Sequence, residues 1–93
     1  MKVKFRLFAS LREIVGEKER ILEFDKPITI YEALNILSNF YGEKFREEVF
    51  EAETPAERLT ILVNGLNIKT LNGVKTVLKD GDEVSIFPPV VGG

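Results

Sequence analysis

The sequence predicts a single α+β domain in which one main helix lies across one face of a mixed β-sheet. Strand-like alternation of apolar and polar residues occurs near both ends of the chain, and helical spacing of apolar residues dominates residues 29–41. A chain of 93 residues, 44% of them hydrophobic, suits one compact core. We therefore expect the order strand, strand, helix, strand, strand, strand.

Alternation identifies the first two strands. Residues 2–8 place apolar side chains on one face and basic side chains on the other, which is typical of a half-buried strand. Residues 19–24 alternate in the same way, and Asp25-Lys26-Pro27 ends this segment. Both segments are expected to belong to one sheet.

Shorter segments are predicted before and after the main helix. Ser10 followed by Glu13 has the spacing of a capping box, so a helical turn should begin there and end at Gly16. Residues 43–50 place apolar residues among five charged ones, which is typical of a short amphipathic extension. Residues 51–58 contain a proline and are predicted to form a loop.

A second capping box, Thr29 followed by Glu32, predicts the start of the main helix, and Gly42 predicts its end. The apolar residues at helical spacing are Ile30, Ala33, Leu34, Leu37 and Tyr41. The face expected to point to solvent carries Glu32, Asn35, Ser38 and Asn39.

Turn signals divide the second half of the chain. Asn64-Gly65 is the preferred pair for a type I′ turn and predicts a hairpin between residues 59–63 and residues 67–70. Asp80-Gly81-Asp82 introduces a last strand over residues 83–87. The second half therefore contributes three strands.

The order of these elements predicts the topology. If the first and last strands lie side by side in the middle of the sheet, the helix between the two halves makes the usual right-handed crossover. That arrangement is the β-grasp, and residues 1–87 are expected to form it. The two periodicities place the following residues in the interior: Val3, Phe5, Leu7, Leu22, Phe24, Ile30, Leu34, Leu37, Ile61, Val63, Val84 and Ile86.

Composition excludes most kinds of catalytic site. The chain has no cysteine and no histidine, so it lacks a thiol nucleophile, the usual general base near pH 7 and the two commonest zinc ligands. We expect no metal and no bound cofactor. A net charge of −2 with scattered basic residues gives no general attraction to nucleic acid. With no long apolar run and no leader-like start, we expect a cytoplasmic protein without a membrane span.

The tail after the last strand is the clearest functional feature. It comprises Pro88, Pro89, Val90, Val91, Gly92 and Gly93. The prolines favour an extended segment, which at roughly 3.3 Å per residue reaches at most about 20 Å. The glycines have no Cβ, so the end can enter a narrow channel with its carboxylate exposed. A flexible end or a cloning remnant is the alternative, but prolines directly before such an end would be unusual.

A partner-binding surface is predicted on the face of the sheet away from the helix. Strand parity places Phe8, Leu62 and Phe87 opposite the core side chains of their neighbours. An exposed apolar patch usually marks a partner site. The alternative is that residues 43–58 fold over these side chains and form a second small core.

Three stretches of the sequence resemble the MoaD-like ubiquitin-like sulfur carriers, the family of the small subunit of molybdopterin synthase. Residues 7–13 read Leu-Phe-Ala-Ser-Leu-Arg-Glu, residues 80–84 read Asp-Gly-Asp-Glu-Val, and residues 86–93 read Ile-Phe-Pro-Pro-Val-Val-Gly-Gly. The last stretch is the most specific. The resemblance covers most of the chain.

The resemblance implies a carrier that is a cosubstrate or non-catalytic small subunit. An activating enzyme that supplies ATP and magnesium would adenylate Gly93, and the acyl-adenylate would become a thiocarboxylate. The large subunit of molybdopterin synthase would then receive the sulfur for molybdopterin or tungstopterin. An acyl phosphate supplies the leaving group that a free carboxylate lacks.

Other functions within this class stay open. The segment 41–58 is longer than in the shortest carriers, the ThiS proteins of thiamine synthesis, which argues against that role. Archaeal ubiquitin-like protein modifiers share the fold and the tail and can link Gly-Gly to lysines. Sulfur transfer to tRNA or thiamine and an interaction domain with an inert tail are further alternatives.

Overall fold

The computed structural model describes residues 1–52, 54–55 and 58–89. Its helices are α1 (Ser10–Val15), α2 (Ile30–Tyr41) and α3 (Glu43–Val49), with two 3-10 turns at Ile68–Thr70 and Gly73–Lys75. Its strands are β1 (Lys2–Leu7), β2 (Glu19–Glu23), β3 (Phe50–Glu51), β4 (Thr54–Pro55), β5 (Thr60–Val63), β6 (Leu66–Asn67) and β7 (Glu83–Phe87). None of the helices in the described ranges is long and apolar enough to span a membrane.

The main sheet has five strands in the order β2-β1-β7-β5-β6. β1 and β7 are parallel neighbours at its centre, and β2 and β5 pair with them antiparallel from either side. α2 lies between the two halves of the sheet in sequence, and its buried side chains join the core. The predicted β-grasp topology is therefore confirmed.

The core contains the predicted interior residues except Leu22 and Phe24, which are only half-buried. β2 is an edge strand, so its inward side chains have neighbours on one side only. Further buried residues come from the periodic face of α2, which contributes Ala33, and from segments without a long periodic pattern. They are Leu11, Ile28, Ala33, Phe45, Val49, Phe50, Leu59, Ile68 and Leu78.

The capping box predicted at Ser10 is wrong, although the helix is present. The N-cap of α1 is Ala9, and no side chain caps this end. Ser10 is the first residue of the helix and not its N-cap, so its hydroxyl does not have the position from which an N-cap side chain accepts a backbone amide of the first turn. The predicted end at Gly16 is confirmed, with φ of 75° in the left-handed region that glycine adopts at low cost.

The capping box at the start of α2 is confirmed in both directions. The backbone amide of Glu32 donates to Thr29 Oγ1 at 3.1 Å, and the backbone amide of Thr29 donates to Glu32 Oε1 at 2.9 Å. The two bonds that Thr29 donates to the Glu32 carboxylate, from its backbone amide and from its hydroxyl at 3.2 Å, lower the pKa of Glu32. The prediction that Ser38 points to solvent is wrong. Ser38 is buried. Its hydroxyl can be buried at low cost because it donates a hydrogen bond to the Leu34 carbonyl at 2.8 Å.

Two predictions for the second half of the chain, the loop over residues 51–58 and the second strand of the hairpin at Asn64-Gly65, need correction. The prediction of a loop over residues 51–58 is wrong at Glu51 and at Thr54–Pro55, because β3 and β4 pair there as two short antiparallel strands. The hairpin at Asn64-Gly65 is confirmed, with φ of 51° and 86° as a type I′ turn requires. Its second strand is only β6, since the chain then turns into the 3-10 segment Ile68–Thr70 in place of the predicted strand over residues 67–70.

Thr29→Ala is expected to lower the free energy of unfolding by about 1 kcal/mol, because it removes the side-chain half of the capping box. Urea denaturation at neutral pH measures this loss. Since the folded pKa of Glu32 is lowered, the stability that its carboxylate contributes is present above its usual pKa near 4.5 and is lost as pH falls through the folded pKa. Ser10→Ala is the matched control and should be nearly neutral, because Ser10 caps nothing.

Candidate partner-binding face and tail exit

The tail leaves the sheet from its central strand. β7 pairs with β1 on one side and with β5 on the other, and the pairing of Phe87 with Thr60 of β5 fixes the position of its backbone. Pro88 and Pro89 follow directly and are half-buried. The predictions for Val90, Val91, Gly92 and Gly93 lie outside the described residues. The structure therefore fixes the direction from which the tail departs.

An aromatic pair lies at this exit. The rings of Phe8 and Phe87 are stacked with centroids 4.2 Å apart and an interplanar angle of 13°. Phe8 follows β1 and Phe87 ends β7, so the parallel pairing of these strands brings the two rings together. Both rings are half-buried. The structure confirms that they share the outer face of the sheet.

Leu62 lies on the same face but is not part of the stack. It is the third residue of β5, whose buried residues Ile61 and Val63 point to the opposite side. In the β5–β7 register, Thr60 is opposite Phe87 and Leu62 is opposite Ser85. Leu62 therefore extends the apolar part of the face along β5 from the aromatic pair.

Two arginines border the aromatic pair. The guanidinium carbons of Arg6 and Arg12 lie 5.5 Å and 5.3 Å from the centroid of the Phe8 ring, within the range of a cation–π contact. Arg12 Nε also donates to the Leu7 carbonyl at 3.1 Å, which fixes its stem. Sequence reasoning did not select these arginines, because alternation identifies the face of a residue but not its lateral neighbours.

Charged pairs cover the other half of the outer face. Lys2 pairs with Glu23 at 3.6 Å and Lys4 pairs with Glu19 at 3.5 Å across the β1–β2 ladder, and Arg6 pairs with Glu83 at 3.3 Å. All of these side chains are substantially exposed, so the pairs contribute little stability. Apart from the exposed Ile21, the apolar part of the face therefore lies toward the end of the sheet from which the tail departs.

Residues 43–50 do not cover this patch. α3 packs against α1 and α2, and Phe45 and Val49 are fully buried in the main core. The stretch 43–50 thus lies with the helices on the inner side of the sheet. A second small core over Phe8 and Phe87 is not formed by this part of the chain.

The groups with shifted pKa values are held in structural contacts. Hydrogen bonds from Arg20 and Tyr41 lower the pKa of Glu17, and burial together with the bond to Glu17 raises the pKa of Tyr41 to about 12. Arg20 also lies 4.4 Å from the centroid of Phe40. Each group has a partner in the fold, so this cluster joins the segment before β2 to the end of α2.

The described residues contain no cluster of acidic side chains arranged to hold a metal ion. Two surface cavities, of about 180 and 430 Å³, are lined mainly by apolar groups, and neither is bordered by Phe8, Leu62 or Phe87. The candidate site in the described part of the chain is therefore the patch around the Phe8–Phe87 pair and not either cavity.

Two curated relatives align with the chain over its whole length. "Small archaeal modifier protein 3" of Haloferax volcanii is 36% identical over 93 residues, and the alignment covers 100% of both chains. A "Putative sulfur carrier protein" of Archaeoglobus fulgidus is 33% identical over 94 residues, again with 100% of both chains covered.

Solved structures of similar proteins have the same fold. Small archaeal modifier protein 1 of Methanosarcina acetivorans has a TM-score of 0.85 and 36% identity, covering 99% of this chain and 96% of its own. A "Putative molybdopterin converting factor, subunit 1" of Pyrococcus furiosus has a TM-score of 0.75 and 31% identity, and the match covers 97% of this chain and 99% of that protein. The family model described as "ThiS family" matches residues 5–93. The chain therefore belongs to the ThiS family of ubiquitin-like sulfur carriers.

Proposed function

We propose that this chain carries sulfur for molybdopterin or tungstopterin synthesis, as the small subunit of molybdopterin synthase. The observation that carries the proposal is the position of the aromatic pair Phe8–Phe87 at the exit of the tail. A partner that binds this patch receives the tail directly beside the contact. The likeness to the Pyrococcus furiosus protein, whose name refers to a molybdopterin converting factor, supports this acceptor.

The chemistry is assigned to Gly93. Its carboxylate attacks the α-phosphate of ATP on the activating enzyme, and pyrophosphate leaves. Hydrosulfide from the sulfur donor then attacks the acyl carbon and displaces AMP, which gives the thiocarboxylate. The activating enzyme supplies ATP and magnesium, and the carrier supplies reach and an unhindered end. The absence of cysteine and histidine from the sequence fits a cosubstrate whose chemistry is performed by its partners.

A second function has specific support. Two of the similar proteins are named small archaeal modifier proteins, one of them from Haloferax volcanii and one from Methanosarcina acetivorans. For this function the same acyl-adenylate forms on Gly93, but the amine of a lysine on another protein attacks the acyl carbon and displaces AMP, so that an isopeptide bond forms. The two functions differ only after activation, because the acceptor is chosen by the partner.

One experiment separates the two functions. The chain is expressed with an affinity tag at its N-terminus in its native host, and captured proteins are identified by mass spectrometry. A non-covalent complex with a large synthase subunit, and loss of molybdopterin in a deletion strain, supports the pterin role. Proteins that carry a Gly-Gly remnant on lysine support the modifier role instead.

Replacing Phe87 by glutamate is expected to weaken binding of the activating enzyme at least about tenfold, because a charge would be buried in the apolar contact. Calorimetric titration measures the affinity. Ile21→Glu is the matched control, since Ile21 is 57% exposed on the same face but lies in its charged half. Equal weakening by both variants would argue against a docking site at the aromatic pair.

A further inference from the structure

Ala9 has a backbone conformation that L-amino acids avoid. Its φ is 50° and its ψ is −128°, whereas an L-residue with positive φ normally has a positive ψ as well. Only glycine adopts this region without a steric penalty, because the Cβ meets the backbone. Ala9 is exposed, so packing of its own methyl group does not explain the conformation.

The contacts on either side of Ala9 explain it. Phe8 lies on the outer face, stacked on Phe87, whereas Leu11 is fully buried in the core on the inner face. Only two residues separate them. The Leu11 amide donates to the Phe8 carbonyl at 3.1 Å, and the Glu13 amide donates to the Ala9 carbonyl at 3.2 Å, so the turn is tight.

Leu11 and Phe8, which flank the turn at Ala9, are held in place with different strength. Leu11 is anchored by complete burial, but Phe8 is only half-buried and depends on one ring stack and two cation–π contacts. Ring contacts of this kind are individually similar in size to the backbone strain at one residue. Of the two residues, Phe8 is therefore the one whose side chain can leave its present contacts when another surface binds its ring more favourably.

We propose that the Phe8–Ala9 turn is a strained latch that opens on docking. In the free protein the stack on Phe87 holds Ala9 in its strained conformation. An apolar surface of the activating enzyme that takes up the Phe8 ring replaces the stack, and Ala9 then relaxes to negative φ. Release of the strain adds to the affinity. This proposal rests on the docking face of the proposed function, and it makes Ala9 an affinity-determining residue that need not touch the partner.

Three residues at position 9 test the latch. L-alanine is strained in the free state, glycine is not, and D-alanine, introduced by chemical ligation, prefers the free-state conformation because it is the mirror image of an extended L-residue. Glycine should raise the melting temperature of the free protein by about 5 °C, and D-alanine should raise it further. Affinity for the purified activating enzyme should follow the opposite order, with glycine about tenfold weaker than L-alanine and D-alanine weaker again.

Ala52→Gly is the matched control. Ala52 also has positive φ, at 60°, but it lies at the β3–β4 hairpin, so glycine there should raise stability and leave affinity unchanged. In the complex of the L-alanine protein, the nuclear Overhauser contact between the Phe8 and Phe87 rings should be lost. Equal affinity for the three position-9 proteins, or tightest binding by D-alanine, overturns the latch while leaving the docking face intact. Failure of the L-alanine protein to bind the enzyme overturns both.

Discussion

Phe5→Ala is expected to lower the free energy of unfolding by about 3–5 kcal/mol, the range for removing a large buried aromatic side chain. Phe5 is 1% exposed in the central strand β1, and its ring contacts Phe24 edge to face with centroids 6.4 Å apart. The substitution therefore leaves a cavity between the sheet and the helices that the paired strands cannot close. Equilibrium denaturation in urea measures the loss.

The neighbouring strand offers the control for this prediction. Ile21→Ala removes an apolar side chain that is 57% exposed on the opposite face, so it should change stability by no more than about 0.5 kcal/mol. A loss below about 1 kcal/mol at Phe5 would contradict the assignment of β1 to the centre of the core.

Periodic patterns predicted the regular part of the fold. The strict alternation in β1 and the helical spacing in α2 each describe a face buried by one large neighbour, so both elements and their inward residues follow from the sequence. The sequence predicts Phe45 and Val49 only as the apolar side of a short helix. Their complete burial depends on contacts with α1 and α2, which are distant in sequence and leave no local pattern.

For the candidate site, the sequence likewise predicted the face on which each residue lies but not the contacts between the residues. Parity alone placed Phe8, Leu62 and Phe87 on the outer face. The stacking of Phe8 on Phe87 follows from the parallel register of β1 and β7, and the position of Arg12 beside Phe8 follows from the turn at Ala9. A positive φ at an alanine has no signature in the sequence, because glycine is the residue that marks such a conformation.

Extension of the chain beyond Gly93 by a few residues, or deletion of Gly93, is expected to abolish activation completely. Adenylation requires the terminal carboxylate at the α-phosphate of ATP, and reactions of this kind lose most of their rate when the reacting group is displaced by about 1 Å. Pyrophosphate release with the purified activating enzyme measures the effect. The fold should be unchanged, so circular dichroism and melting temperature serve as the control.

Gly92→Leu gives a graded version of the same prediction. The carboxylate keeps its place in the sequence, but a bulky side chain enters the path of the tail, so activation should be slowed by a steric effect alone. Val90→Ala is the matched variant, because it shortens a side chain in the same tail without adding bulk. Rates equal to the unaltered chain for Gly92→Leu would contradict the requirement for a slender end.

Intact-protein mass spectrometry tests the central claim most directly. The chain is incubated with its activating enzyme, ATP, magnesium and a sulfur donor, alongside a version extended beyond Gly93. The account predicts that the unextended chain gains the mass of one oxygen replaced by sulfur, located to Gly93 by fragmentation, and that the extended chain gains nothing. Adenylation and sulfur transfer on the extended chain without trimming would contradict both the carrier and the modifier functions.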